Sequence, residues 1–258
     1  MNATPFESAQ FKASKFTAVW SQITEIQGWL TEGQARMLFA AASRAVAGDT
    51  IVEIGSFRGR STIVLASAAP VGAHVVAIEP HAGNDRGPGE IDGYAEAAAV
   101  DHDEFLSNLA AAGVADRVRH VRAYSEQAHD VVSGEVAVLY IDGAHRYAPA
   151  RADIRDWGKR VSAGGTLLIH DSFSSVGVTL AILRELTFGR LRYVGRSRSL
   201  AEYRADMNIE IGHRAINAGR QLLQLPWFLK NLVVKVLLTL KLGKLVRKVT
   251  GREPDWPY

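Results

Sequence analysis

Two acid–histidine pairs stand at the ends of apolar runs. "LYIDGAHRY" (139–147) carries Asp142 and, three residues on, His145, while "GGTLLIHD" (164–171) ends in His170 and Asp171. Carboxylates that close neighbouring strands would lie about 4.8 Å apart, near enough to share one cation. Two carboxylates with waters suit Mg2+. Such an ion orients a hydroxyl and lowers its pKa. A neutral imidazole within reach takes the hydroxyl's proton, and a helix N-terminus favours the neutral form. The plainer alternatives are two solvated strand-end acids and a helix-start histidine satisfied by water.

What must position these residues is an alternation of strand and helix patterns from residue 31 to about 205. Thr31 with Gln34 has the spacing of a capping box, opening a helix that runs toward Gly48. "TIVEIG", "AHVVAIEP", "RVRHVRAY", "EVAVLYIDG" and "GGTLLIHD" read as five strands. "RSTIVLASAAP", "DEFLSNLAAAGV", "APARADIRDWGKRV" and "GVTLAILRELTFG" read as the helices between and after them. "RLRYVG" and "SLAEYRA" follow, joined too tightly for a helical crossover. The expected fold is α/β: a doubly wound, seven-stranded, mostly parallel sheet with an antiparallel edge hairpin. The Gly-rich segment 80–100 is the one long irregular stretch and reads as a lid over a site rather than a plain insertion.

The turn after the first strand, "VEIGSFRGRST", carries Glu53, Gly55, Ser56, Gly59, Ser61 and Thr62. Glycines there let the backbone turn sharply and approach a ligand, whose polar groups would meet helix N-terminal amides. The spacing is G-x-x-x-G, not the G-x-G-x-x-G of dinucleotide sites, and by itself it also fits a simple strand–helix connector. Glu79 ends the second strand, 24 residues after Gly55, where an acid accepts hydrogen bonds from both ribose hydroxyls of a nucleoside-like cofactor. Two acids and two glycines in this frame fit S-adenosylmethionine (SAM). Glu53 would serve the cofactor's amino-acid part, and Ser125 would lie near the adenine.

Together "VEIGSFRGRST", "AIEPH", "YIDGAHRYAPARADIRDW" and "GGTLLIHD" resemble the class I SAM-dependent methyltransferases over residues 30–205. The last two are most similar to the Mg2+-dependent O-methyltransferases of macrolide sugars and related antibiotic pathways. The family's segment after strand four matches Asp142, Gly143, Ala144, His145, Tyr147, Asp153 and Trp157. The resemblance implies transfer of a methyl group from SAM to a hydroxyl of a sugar or glycoside. It implies His145 as general base and Asp142 and Asp171 as ligands of Mg2+ or Mn2+. Where the family often has an acid before the second Asp, this chain has His170, a softer ligand, which then either ligates directly or stands behind the ligands. His81, Tyr94 and Tyr147 are candidates for acceptor contacts, and His102 is a weaker one. His120, within a strand, reads as structural, and Asp153 and Trp157 as ties between helix and sheet. A phenolic or polyketide acceptor is an alternative. A nicotinamide-dependent oxidoreductase is another, but it expects the missing G-x-G-x-x-G.

Composition bounds the rest. The 258 residues contain no cysteine, which excludes disulfides, thiolate metal sites and a cysteine nucleophile and fits a reducing cytoplasm. No secretory signal and no run of 18 uncharged apolar residues is seen, so a spanning helix is not expected. Residues 1–210 carry 21 Lys+Arg against 25 Asp+Glu, and residues 211–258 carry 9 against 2. The basic balance therefore belongs to a tail, "LPWFLKNLVVKVLLTLKLGKLVRKV", which reads as a basic amphipathic helix begun at Pro226. Such a helix packs on its own domain or on a second copy in a homodimer, or lies on the inner membrane face. No stacking-aromatic pattern accompanies it, so no nucleic-acid partner is expected. Three parts follow: an N-terminal helical segment (1–30), the catalytic domain (31–205) and the tail (206–258).

Overall fold

The computed structural model describes residues 5–82, 95–206 and 210–240. Its sheet has seven strands in the order β3-β2-β1-β4-β5-β7-β6. Here β1 is Thr50–Ile54, β2 His74–Ile78, β3 Val118–Val121, β4 Val136–Ile141, β5 Val161–Ile169, β6 Leu191–Ser197 and β7 Leu200–Ala205. β1 to β5 pair in parallel, and β7 pairs antiparallel with both β5 and β6. This is the expected doubly wound architecture with its edge hairpin.

Period-two alternation assigns each strand residue to a face. Ile51, Val75, Ala77, Val138 and Tyr140 face one buried cluster, and Val52, Ile54, Val76, Leu139 and Ile141 face the other. The first is covered by α1 (Pro5–Ile23), α2 (Glu32–Ala42), α3 (Arg60–Ala68) and α4 (Ala95–Ala111). The second is covered by α5 (Tyr147–Asp156) and α6 (Val176–Glu185). Thr31 caps α2 in the expected capping box with Gln34. α4 starts at Ala95, well before the helix expected near 103, because the alanine-rich stretch favours helix. The irregular segment is thus shorter than 80–100, and most of the expected lid lies outside the described residues.

Parallel register puts the strand ends in one row. Ile54 pairs with Ile78 and with Ile141, and Ile141 pairs with Ile169. The residues that follow these four isoleucines are Gly55, Glu79, Asp142 and His170. They stand at the C-terminal edge, where β1 has neighbours whose connections run in opposite directions, and where open α/β sheets bind ligands.

Glu53 is fully buried in β1, and the hydroxyls of Ser61 and Thr62 at the start of α3 donate to its two oxygens. Burial pushes its pKa up to about 8, against the hydroxyl bonds that favour ionisation. The folded chain therefore holds a proton that the unfolded chain releases above pH 4.5. Stability should fall as pH rises from 4.5 to about 8, by up to about 1.4 kcal/mol per unit, and level off beyond. Urea denaturation across this range should show the slope in the wild type and lose it in Glu53→Gln. An unchanged slope in Glu53→Gln would assign it to other groups.

The tail differs from expectation. It forms two helices, α7 (Ile211–Leu222) and α8 (Leu225–Thr239), and only α8 was expected. Both are pinned to the domain by buried amides: Asn217 Nδ2 reaches Leu186 O, Gln221 Nε2 reaches Leu186 O, and Asn231 Nδ2 donates to Phe173 O. Arg196 stacks 3.8 Å over the Trp227 ring. Residues 211–239 are also long and apolar enough to cross a membrane by length and composition. The expected absence of 18 uncharged apolar residues in a row holds there, since Arg214, Arg220, Lys230 and Lys235 interrupt the run.

Candidate active site

A cavity of about 770 Å3 opens at the edge where the row of strand ends lies. Gly55, Ser56, Ser61, Glu79 and Ser125 line it, as does Asp142. Gly55 is obligatory there: it has φ 87°, and a Cβ would sit 2.3 Å from the Asp142 carbonyl oxygen. The glycine thus lets the β1 and β4 turns touch. Glu79 ties this turn to the next, accepting from Phe57 N at 3.2 Å and from His81 N at 3.0 Å. Phe57 and His81 both hold positive φ, 45° and 46°, a strain that functional turns commonly store.

Three expected cofactor residues stand behind this wall rather than in it. Glu53 is sealed by Ser61 and Thr62, and neither it, Thr62 nor Gly59 lines the cavity. In the structure Glu53 supports the start of α3, its two oxygens taken up by the Ser61 and Thr62 hydroxyls. Gly59 caps α3 at φ 84° against Phe105, and Thr62 acts through Glu53.

Other lining residues were not foreseen. Gln27, Gly28, Trp29 and Leu30, between α1 and α2, form one wall. Arg60 holds that wall by donating to Gly28 O at 2.9 Å. At the other end Asp153 accepts from Ser125 Oγ at 2.5 Å, and Trp157 Nε1 donates to Ser125 O at 3.2 Å. Burial raises the Asp153 pKa to about 6. Asp153 was read as structural, and it is both a tie and a wall of the cavity. No local signal reaches the 27–30 segment, which arrives through packing of α1 on α3.

Asp142, His170 and Asp171 come together as the strand ends require, with ligating atoms all within 4.8 Å of one another. His170 Nδ1 lies 3.2 Å from Asp142 Oδ1 and 3.4 Å from Asp171 Oδ2, yet it makes no well-directed hydrogen bond although buried. Burial works against charge on His170, but the two carboxylates outweigh it and push its pKa up. Asp171 is held well below the usual range by His170 and His145, against its burial. Tyr140 donates to Asp142 Oδ2 at 2.9 Å. Gln34 Nε2 lies 3.3 Å from the other ring nitrogen of His170, so the α2 capping residue also steadies this group. A buried, poorly directed imidazole nitrogen between two carboxylates fits a divalent cation, and the imidazole favours Mn2+ over Mg2+ within that class.

His145 does not line the main cavity. Its Nε2 lies 2.5 Å from Asp171 Oδ2, which turns the ring to the β5 side of the row. With the proton on Nε2 given to Asp171, the lone pair is on Nδ1, the tautomer a base needs. Gly177, in the first turn of α6, allows this placement, for a Cβ there would be 2.2 Å from the His145 carbonyl oxygen. Gly177→Ala should therefore destabilise the chain by about 1–3 kcal/mol in urea denaturation. It should also lower turnover more than it weakens cofactor binding, by displacing His145. Equal turnover would show that the 145–147 turn tolerates the shift.

Of the acceptor candidates, His81 lines the cavity, Tyr147 opens α5 and is exposed, and Tyr94 lies outside the described residues. His81, His102 and His120 pack as a cluster beside the Glu79 end. Burial lowers His102 and takes His120 down to about 4, so both rings are neutral near pH 7.

Strand order, crevice and acid row together define a Rossmann-like methyltransferase fold. Residues 52–172 match the family model described as a methyltransferase domain. The O-methyltransferase NovP superposes with a TM-score of 0.60 at 15% identity, covering 78% of this chain and 100% of that one. Cofactor-bound Rv0187 from MTB gives 0.52 at 19% identity, covering 81% and 100%. The O-methyltransferase from Bacillus cereus in complex with SAH gives 0.50 at 17%, covering 75% and 91%. All three share the fold of this chain.

Proposed function

We propose that this chain is a SAM-dependent, divalent-metal-assisted O-methyltransferase acting on a hydroxyl of a sugar or glycoside. The observation that carries the reading is the meeting, at one sheet edge, of a nucleoside-sized cavity with the Asp142–His170–Asp171 group. Structural neighbours described as O-methyltransferases, one of them with SAH, support it. Gly55 and Ser56 would face the cofactor's amino-acid part, Glu79 its ribose, and Ser125 with Asp153 its adenine. When bound, SAM supplies an electrophilic methyl group. Asp142, Asp171 and His170 would hold a divalent cation, Mg2+ or Mn2+, which supplies Lewis acidity toward the acceptor oxygen. His145, oriented by Asp171, accepts the hydroxyl proton as the oxygen takes the methyl group. Parallel pairing of the strands keeps these groups at fixed separation.

The sugar acceptor follows the sequence resemblance, of which the narrowest form is the mycobacterial methylmannose polysaccharide 1-O-methyltransferase and its mannoside hydroxyl. A phenolic or polyketide hydroxyl is the second acceptor class. A homodimer and peripheral membrane contact remain proposals for α8, supported by Leu229, Val233 and Val236, which it leaves exposed. Calorimetric titration with SAM should give one site per chain, and no binding would overturn the reading. A screen of glycosides and phenols, with the methylated position located by NMR, then decides the acceptor.

A further inference from the structure

We propose that His81, His102 and His120 form a site for a divalent transition cation of the zinc class, separate from the Asp142–His170–Asp171 group. The three residues come from three elements: the turn after β2, the helix α4 and the strand β3. Each brings one ring nitrogen, and the three lie within 4.8 Å of one another. The rings meet at centroid distances of 5.1, 5.2 and 5.3 Å, two pairs edge to face and the His102–His120 pair tilted.

Two of the three rings are already oriented by backbone carbonyls. His81 Nε2 lies 2.8 Å from Phe57 O, and His120 Nε2 lies 3.2 Å from Glu79 O. Donation to those carbonyls puts the N–H on Nε2 and leaves the Nδ1 lone pairs for a ligand. Carbonyl-oriented imidazoles are the usual surroundings of a histidine metal site. His81 Nδ1 is buried in a residue only 5% exposed, and it has no hydrogen-bond partner. A cluster formed only to fill space would not need three polar rings, one of them with an orphaned nitrogen, packed on Phe105.

The donor set states the ion class. Three imidazoles without a carboxylate suit Zn2+, Co2+, Ni2+ or Cu2+ and not Mg2+. Two charged groups act on the cluster: the Arg122 guanidinium, which bears on His102 and His120, and Asp103, whose Oδ1 is 4.0 Å from His102 Nδ1. Zn–N bonds of about 2.0–2.1 Å place tetrahedral ligand nitrogens about 3.4 Å apart, so small ring rotations close the site. Three protein ligands leave the fourth position to water. The ion would staple α4 to the ends of β2 and β3, beside the Glu79 wall of the cavity. This role is independent of the methyl-transfer reading.

The test is Co2+ titration of the full-length chain carrying Asp142→Asn, which removes the other candidate group. One Co2+ per chain is expected, with the visible absorption of four-coordinate cobalt and no loss in millimolar Mg2+. Adding His102→Gln, at a partly exposed helix position, should weaken binding at least about tenfold. His120→Gln should do the same, with far-UV circular dichroism unchanged. Wild-type affinity in the His102→Gln chain, displacement of cobalt by Mg2+, an octahedral spectrum or no binding would each overturn the proposal.

Discussion

His145→Ala should lower kcat by about 10²- to 10⁴-fold, the range for loss of a positioned base, while SAM affinity stays within about threefold. The separation follows from the geometry. His145 does not line the cavity proposed for the cofactor, and its Nε2 is 2.5 Å from Asp171. Removing the imidazole takes away the proton acceptor and leaves Gly55, Glu79 and Ser125 in place. Calorimetry with SAM and single-turnover kinetics with the best acceptor measure the two quantities independently. Asp171→Asn should give a similar loss, because the amide can no longer hold the His145 tautomer, and it should also weaken the response to divalent cations, since Asp171 is one of the proposed ligands. Turnover near wild type in His145→Ala would remove the residue from the mechanism without touching the fold.

Asp142→Asn should abolish the response to divalent cations and lower turnover by about 10²-fold or more, as loss of a Lewis acid worth several kcal/mol requires. Chelation of the wild-type chain should have the same effect, and Mn2+ should restore rate better than Mg2+ because His170 brings an imidazole to the donor set. His170→Glu should reverse that preference. The same substitution replaces a cation-capable ring by a third carboxyl between Asp142 and Asp171, so without metal it should lower stability. Full activity of the wild type in chelator would leave His170 itself as the counter-charge of the two acids and would remove the metal from the reaction.

Much of the fold was legible because the signals are local. Strands such as "EVAVLYI" are short, apolar and bounded by turn residues, and Thr31 with Gln34 announces a helix start. The metal-type group was legible for a related reason: its members end strands, and parallel pairing brings strand ends into one row. The start of α4 was not, since an alanine-rich stretch carries a weak period signal, whereas α7 has a strongly amphipathic pattern that the sequence does state.

The sequence by itself determined the doubly wound sheet, the antiparallel edge and the nearness of Asp142, His170 and Asp171. It did so because the sheet and its edge follow from local periodicity and connection length, and the nearness of the three residues from strand ends placed side by side in the fold class that the sequence resembles. Only the tertiary structure decided that Glu53 supports α3 from within the core, that residues 27–30 wall the cavity, and that His145 turns to Asp171. It alone joined His81, His102 and His120, 39 residues apart in the chain from first to last. Contacts of this kind are fixed by the packing of α1, α3 and α4 on one face of the sheet. That packing is a balance of many buried surfaces, and no single stretch of sequence states its outcome.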